Sequence, residues 1–280
     1  MYRFLLKAIS LGWSKITDEG DADVVFLMYH RVTGDTSLEL DLRYEHFYEQ
    51  MSWLATQDCV VSLDNAVEYL QQNDEASTER KPRFVLTFDD AYRDFHTRAF
   101  PLLRDLDLPA TLYVPTGFID EPLRPPISRR IAHAERLQPI TWAMLEELAA
   151  SPLITLGSHT HTHAELPSLG DQALEEDLNR CDKLLEQRLG RPIDHFAYPR
   201  GVWDERVERI VRERYRTVAL AGGGGVRRSN FDPCRLPRVP VLRSDEMRWF
   251  KPRIEGRLIY EERVVRSIKS LLRRHGSGYS

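Results

Sequence analysis

The feature that most limits the fold of this chain is an alternation. Short apolar runs rich in β-branched and aromatic residues take turns with longer stretches of helical period. The pattern predicts strands at Val24–His30, Cys59–Leu63, Arg83–Phe88, Ala110–Pro115, Ile154–Ser158, His195–Tyr198, Arg216–Ala221 and Leu236–Val241. It predicts helices at Tyr44–Thr56, Asp64–Gln71, Phe95–Leu106, Trp142–Ala150, Asp171–Leu189 and Asp204–Arg214. In the fifth helix Leu174, Leu178, Cys181, Leu184, Leu185 and Leu189 recur at helical spacing, and Gly190 then Pro192 end it. Strands joined by helical crossovers run parallel. Seven or eight such units favour a closed or nearly closed (β/α) barrel over an open sheet, and 280 residues suit one barrel.

Three segments stand outside the alternation. Gly117–Ile140 is long and contains Pro122, Pro125 and Pro126, which predicts a lid, a binding wall or disorder. Glu261–His275 reads as a helix with Val264, Val265, Ile268, Leu271 and Leu272 on one side and Arg263, Arg266, Lys269, Arg273 and Arg274 over the rest. It is expected to pack on the barrel, with a peripheral contact to an anionic membrane as the sharper alternative. Lys7 splits the apolar run Met1–Leu11, so a weak surface helix is expected there rather than a signal peptide. The expected organisation is an N-terminal segment (1–20), a barrel (21–255) and a basic amphipathic tail (256–280).

Composition narrows the function classes. An apolar fraction of 42% with 29% charged residues suits a globular chain. No apolar window is long enough for a spanning helix. A net charge of -4 argues against a nucleic-acid partner. Cys59, Cys181 and Cys234 are far apart and form no CxxC pair, which argues against a disulfide framework and for a reducing compartment.

In a (β/α) barrel, reactive residues gather on loops after the strand C-termini. Four polar clusters fall at such places. Asp89 and Asp90 close the run Leu86-Thr87-Phe88, where one carboxylate can hold a metal while the other works as a base; an acidic helix cap is the simpler alternative. Gly157-Ser158 leads into His159, His161 and His163, of which His159 and His163 are four apart. Those two with a distant carboxylate form the ligand set of a catalytic divalent metal, and alternation turns His161 away from it. Tyr198-Pro199-Arg200-Gly201 is a turn whose backbone N–H groups can face an oxyanion. His30 ends the first core strand.

In this order the motifs resemble the polysaccharide deacetylase family, the NodB-homology carbohydrate esterases. Thr87-Phe88-Asp89-Asp90 matches its first motif, His159-Thr160-x-x-His163 its metal motif, and Tyr198-Pro199-x-Gly201 its third. The likeness runs from about Val24 to Val241. It implies a distorted (β/α)7 barrel, a metal held by Asp90, His159 and His163, Asp89 as general base, and an oxyanion donor in the Pro199–Gly201 turn. The family's late Leu-x-His motif is missing. Tyr29-His30 near the start is similar to a circularly permuted branch that includes biofilm poly-N-acetylglucosamine deacetylases, which implies His30 as the catalytic acid. Ala91 replaces the usual glycine after the Asp pair, and Arg200 replaces the common aromatic of the third motif, a hint of an anionic substrate. Arg238 is either an orienting partner of Asp89 or a surface ion pair.

The expected activity is metal-dependent removal of an N-acetyl group from an amino sugar of a glycan or glycan precursor in surface polysaccharide biosynthesis. Zinc suits the ligands best, with cobalt, nickel, iron or manganese able to take the site. A deformylase or other amide hydrolase on the same barrel, or a non-catalytic glycan-binding protein, are the rivals. The absence of a recognisable export signal leads to the expectation of a cytoplasmic enzyme, peripheral at the inner face of the membrane.

Overall fold

The computed structural model of the chain describes residues 2–14, 22–72, 81–121, 137–258, 260, 261 and 264. In chain order its elements are α1 (Tyr2–Ser14), β1 (Val24–Tyr29), α2 (Tyr44–Gln57), α3 (Leu63–Gln71), β2 (Arg83–Phe88), a π-type turn (Phe95–Ala99) running into α4 (Phe100–Asp105), β3 (Ala110–Val114), α5 (Thr116–Asp120), α6 (Trp142–Ala149), β4 (Ile154–Ser158), α7 (Asp171–Leu189), β5 (His195–Ala197), α8 (Glu205–Arg214), β6 (Thr217–Ala219), β7 (Arg238–Pro240) and α9 (Met247–Ile254). The seven strands form one parallel sheet in the order β6-β5-β4-β3-β2-β1-β7. The seam between β6 and β7 is closed by the isolated bridges Ala219–Leu236 and Gly222–Arg238, with Leu220 N–H donating to Leu236 O at 2.8 Å and Leu236 N–H to Val218 O at 2.9 Å. The molecule is a nearly closed, distorted (β/α)7 barrel.

Strands buried on both faces explain why the apolar runs are continuous rather than alternating. All six residues of β1 are buried. Val25, Leu27, Tyr29, Phe84, Leu86 and Phe88 point outward and pack against α2 and α4. Val24, Phe26 and Val85 point inward and meet Leu63, Ala66, Val67 and Leu70 of α3, which closes the barrel floor. Side chains alternate along a strand, so the inward set continues to Thr87 and Asp89 on β2 and to Met28 and His30 on β1. The same parity that fills the floor with apolar groups therefore carries acids and histidines into the upper barrel.

Most predicted elements occur within a residue or two of their predicted bounds. Cys59–Leu63 is not a strand. Val60 makes a single bridge to Phe84, and Ser62 then caps α3, its Oγ accepting the Asn65 N–H. The expected helix Phe95–Leu106 opens as a π-type turn because Pro101 has no N–H to donate. Gly117–Asp120 belongs to α5, while the prolines of the predicted loop lie outside the described residues. So does most of Glu261–His275; Glu261 and Val264 are described, and both are helical.

The N-terminal helix differs from a weak surface helix in one respect: its charged residues face inward. Lys7 is fully buried and its Nζ donates to Asp245 Oδ1 at 2.7 Å and to Ser244 O at 2.8 Å. Arg253 Nε lies 2.6 Å from the second Asp245 oxygen, and Arg253 and Arg3 both reach Glu261, at 2.6 and 3.3 Å. Buried charges persist only when paired in this way. The network ties α1 to the loop after β7, to α9 and to Glu261.

One buried histidine makes stability depend on pH. His195 on β5 is 4% exposed, its Nδ1 lies 2.9 Å from Thr217 Oγ1, and burial pushes its pKa down to about 4. The unfolded chain binds this proton more readily than the fold, so stability present above pH 6.5 is lost as the pH falls towards 4. Across that interval the wild type should lose roughly 3 kcal/mol more than His195→Gln. Urea titrations of both proteins at several pH values check this; parallel pH profiles would show that His195 is not the titrating group.

Candidate metal centre

Two loops at the C-terminal end of the barrel, after β2 and after β4, bring the predicted ligands together. Asp90 Oδ1 lies 3.5 Å from His159 Nε2 and 3.2 Å from His163 Nε2, and the three ligand atoms all fall within 4.8 Å of one another. It is the one such group of acidic, histidine or cysteine side chains among the described residues. The backbone is bent hard to achieve this. Asp90 and Ala91 have φ of 73° and 50°, and Thr160 and His163 have 67° and 55°. Left-handed conformations cost L-residues about 1–2 kcal/mol each, and such strain collects at functional sites.

The set fits a divalent cation on three counts. Asp90 Oδ1 is buried and accepts no hydrogen bond from the protein. His159 Nδ1 lies 2.7 Å from Ala197 O; a carbonyl only accepts, so the proton sits on Nδ1 and the Nε2 lone pair faces Asp90. A carboxylate and two imidazoles with room for water and substrate are the donors of a catalytic site. Burial alone would raise the Asp90 pKa, but His163 and His159 beside it hold the carboxyl well below its ordinary value. His161 is not part of the set. Its Nδ1 lies 2.9 Å from Thr116 Oγ1, and its carbonyl accepts the Gly117 N–H at 2.8 Å.

Asp89 points inward beside this centre. Both of its oxygens are held by Arg238, with Nη1 at 2.6 Å and Nη2 at 2.8 Å. Arg238 is completely buried, so it is an orienting partner rather than a surface ion pair. Its Nε donates to Leu220 O at 2.8 Å, and Nη1 reaches Thr87 Oγ1 at 3.2 Å. Burial opposes the charge on Asp89, but Arg238 and His159 outweigh it and keep the pKa lowered. His30 Nε2 stands 4.0 Å from Asp89 Oδ2. Burial lowers the imidazole pKa more than Asp90 and Asp89 raise it, so the resting group is neutral.

The third motif is arranged differently from the expectation. Inward Ala197 makes its neighbour Tyr198 point outward, where its ring meets Phe196 at 5.2 Å and stacks on Trp203 at 6.0 Å. Pro199 is also buried. The Tyr198 amide donates to Ala219 O, Gly201 to Tyr198 O and Val202 to Pro199 O. Arg200 sits at the turn with φ 57°, and its half-exposed guanidinium is 3.6 Å from Glu165 Oε1. That pairing offsets the positive charge that hinted at an anionic substrate. Gly201 is required: at φ +64° a Cβ would lie 2.4 Å from the Ala221 Cβ.

Asp177 is the site residue that the motif reading missed. From α7 its Oδ1 accepts the His161 N–H at 2.6 Å and the Thr162 N–H at 3.2 Å, and Oδ2 accepts the Thr162 hydroxyl. It thus pins the loop that carries His159 and His163. The available signal was an acid three residues after Leu174 and one before Leu178, on the buried stripe of the helix.

A sequence profile described as polysaccharide deacetylase matches residues 76–218, just over half of the chain. The chain belongs to the polysaccharide deacetylase family. That family is divalent-metal dependent, and the Asp90, His159 and His163 cluster is a set that could hold such an ion. A relative from Bacillus subtilis (strain 168) named for the same family is 25% identical over 190 residues, covering 68% of this chain and 61% of that one. The poly-beta-1,6-N-acetyl-D-glucosamine N-deacetylase of Escherichia coli (strain K12) is 30% identical over 159 residues, 54% of this chain and 20% of the relative. The chain therefore spans between a fifth and about three-fifths of the length of these relatives. Among solved structures, IcaB from Ammonifex degensii has the same fold, with a TM-score of 0.66 at 22% identity over 85% of this chain and 97% of that one.

Removing a ligand and removing its support should differ in degree. His163→Ala should hold well under one equivalent of metal, while His161→Ala should hold close to the wild-type amount. Asp177→Ala should weaken metal binding by about 10–100-fold, the usual effect of losing a group that positions ligands. Elemental analysis and competition with a chelator check all three; full occupancy in His163→Ala would overturn the ligand assignment.

Proposed function

We propose that this chain is a metal-dependent hydrolase that removes the N-acetyl group from an amino sugar of a glycan or glycan precursor. The observation that best supports this reading is an ionised carboxylate, Asp89, clamped by buried Arg238 directly beside a three-ligand metal set. A module that only bound glycan would need no base there. Relatives from Escherichia coli and Staphylococcus aureus are named for N-deacetylation of poly-beta-1,6-N-acetyl-D-glucosamine, and the reading extends that reaction class to this chain.

In this proposal Asp90, His159 and His163 hold one divalent ion, with zinc the first choice and cobalt, nickel, iron and manganese suited to the same donors. When bound, the ion polarises the acetyl carbonyl and lowers the pKa of the attacking water. Asp89 accepts a proton from that water as the new C–O bond forms. The negative oxygen meets an amide of the Pro199–Gly201 turn; the Gly201 amide and those of flanking Tyr198 and Val202 are engaged inside the fold. Asp89 passes that proton to the neutral imidazole of neighbouring His30, and the resulting imidazolium protonates the sugar nitrogen as the C–N bond breaks. The products are acetate and a free amine.

Acetate release from N-acetylglucosamine oligomers by the metal-loaded protein tests the reading. Asp89→Asn should keep its metal and lose turnover by about 10²-fold or more. A rate near wild type would reduce Asp89 to a supporting role. His30→Ala should bind metal normally and lose more activity on the amide than on an activated acetate ester, whose leaving group hardly needs a proton. Equal losses on the two substrates would remove the acid role from His30.

A further inference from the structure

The burial pattern of α1 is inside out. Arg3, Lys7 and Ser10 are buried, whereas Leu5 and Ile9, one turn apart, are 65% and 49% exposed. The ion pairs of Lys7 with Asp245 and of Arg3 with Glu261 fix this orientation, so the apolar side cannot rotate inward without leaving buried charges unpaired. Val264, three residues beyond Glu261, is also exposed.

We propose that this apolar ridge docks the protein on an anionic lipid surface. Charge complementarity selects the occupant. The chain as a whole carries a net charge of -4, yet the sequence after Glu261 holds Arg263, Arg266, Lys269, Arg273 and Arg274 against a single acid, Glu262. Exposed apolar side chains in a chain whose C-terminal sequence is basic are the combination that anionic bilayers attract. Placement supports the same occupant. The partners of α1 include Glu39 on the loop after β1 and Ser244 and Asp245 on the loop after β7. Both loops leave the C-terminal end of the barrel, the end that carries His30, Asp89 and the metal ligands. Docking through α1 would therefore set the site close to the lipid headgroups, where a membrane-bound substrate would be presented. No described helix is long and apolar enough to cross a membrane, so the contact is peripheral.

Flotation of the full metal-loaded chain with vesicles tests the proposal and reads binding alone, independently of the activity. The wild type should float with phosphatidylcholine vesicles containing phosphatidylglycerol, float poorly with phosphatidylcholine alone, and detach as salt is raised. The double variant Leu5→Gln/Ile9→Gln changes only exposed side chains; it should keep the wild-type melting temperature and activity on a soluble oligomer but bind at least about tenfold more weakly. Arg273→Gln should cost about fivefold on the anionic vesicles. Absence of flotation by the intact protein, or equal flotation of the double variant, overturns the proposal. If the intact protein does not float but sediments as a dimer that the double variant dissolves, the ridge belongs to a second copy and the lipid assignment falls.

Discussion

The bidentate pair between Arg238 and Asp89 is the interaction on which the rest of the upper barrel depends. Both groups are buried, and two charges in such a place are tolerated only because each completes the other's hydrogen bonds. Removing one partner would strand the other at a cost of about 3–5 kcal/mol. Arg238 also lies on β7 in register with Phe26 of β1, and its Nε reaches across the seam to Leu220 O. One guanidinium thus holds the proposed base, joins β2 to β7 through Thr87, and adds a side-chain bond across a seam that isolated backbone bridges close. The aim of Asp89 is thereby linked to the closure of the seam.

Much of this was legible in the chain. Parallel strands buried on both faces leave uninterrupted apolar runs, so β1, β2, β3 and β4 begin where the runs begin. The Asp pair and the His159/His163 pair were legible because each stands at the end of such a run. Other features turn on tertiary context. Cys59–Leu63 has strand composition but a serine cap, and the cap wins. Tyr198 was placed in the site by motif alone, although strand parity from inward Ala197 already sends it outward. The short α9, with Pro252 inside it, has no helical signature; burial of Phe250, Arg253 and Ile254 makes it one. The two possible roles of Arg238 could not be separated before its burial was known.

The two ends of the described chain meet in one buried ionic knot. Lys7 and Arg3 come from the first helix, Asp245 and Arg253 from the segment after the last strand, and Glu261 from beyond it. None of these charges has a pattern that foretells its partner: Lys7–Asp245 and Arg3–Glu261 join opposite ends of the sequence, and Arg253 reaches Asp245 and Glu261 at a spacing that is not a helix turn. The knot turns a helix that periodicity made unremarkable into part of the rim.

The left-handed backbone at Ala91 has a consequence for how this protein can be altered. Its methyl group sits at φ 50° in a fully buried position, between a strained proposed ligand and Tyr92. Glycine would relax that conformation, yet it would also widen the range of shapes open to Asp90. The methyl group therefore acts as a conformational stop: the chain trades some thermal margin for a carboxylate that cannot wander. A thermostabilised version of this protein built by relieving its backbone strain would be expected to spread, rather than sharpen, the placement of its proposed metal ligand.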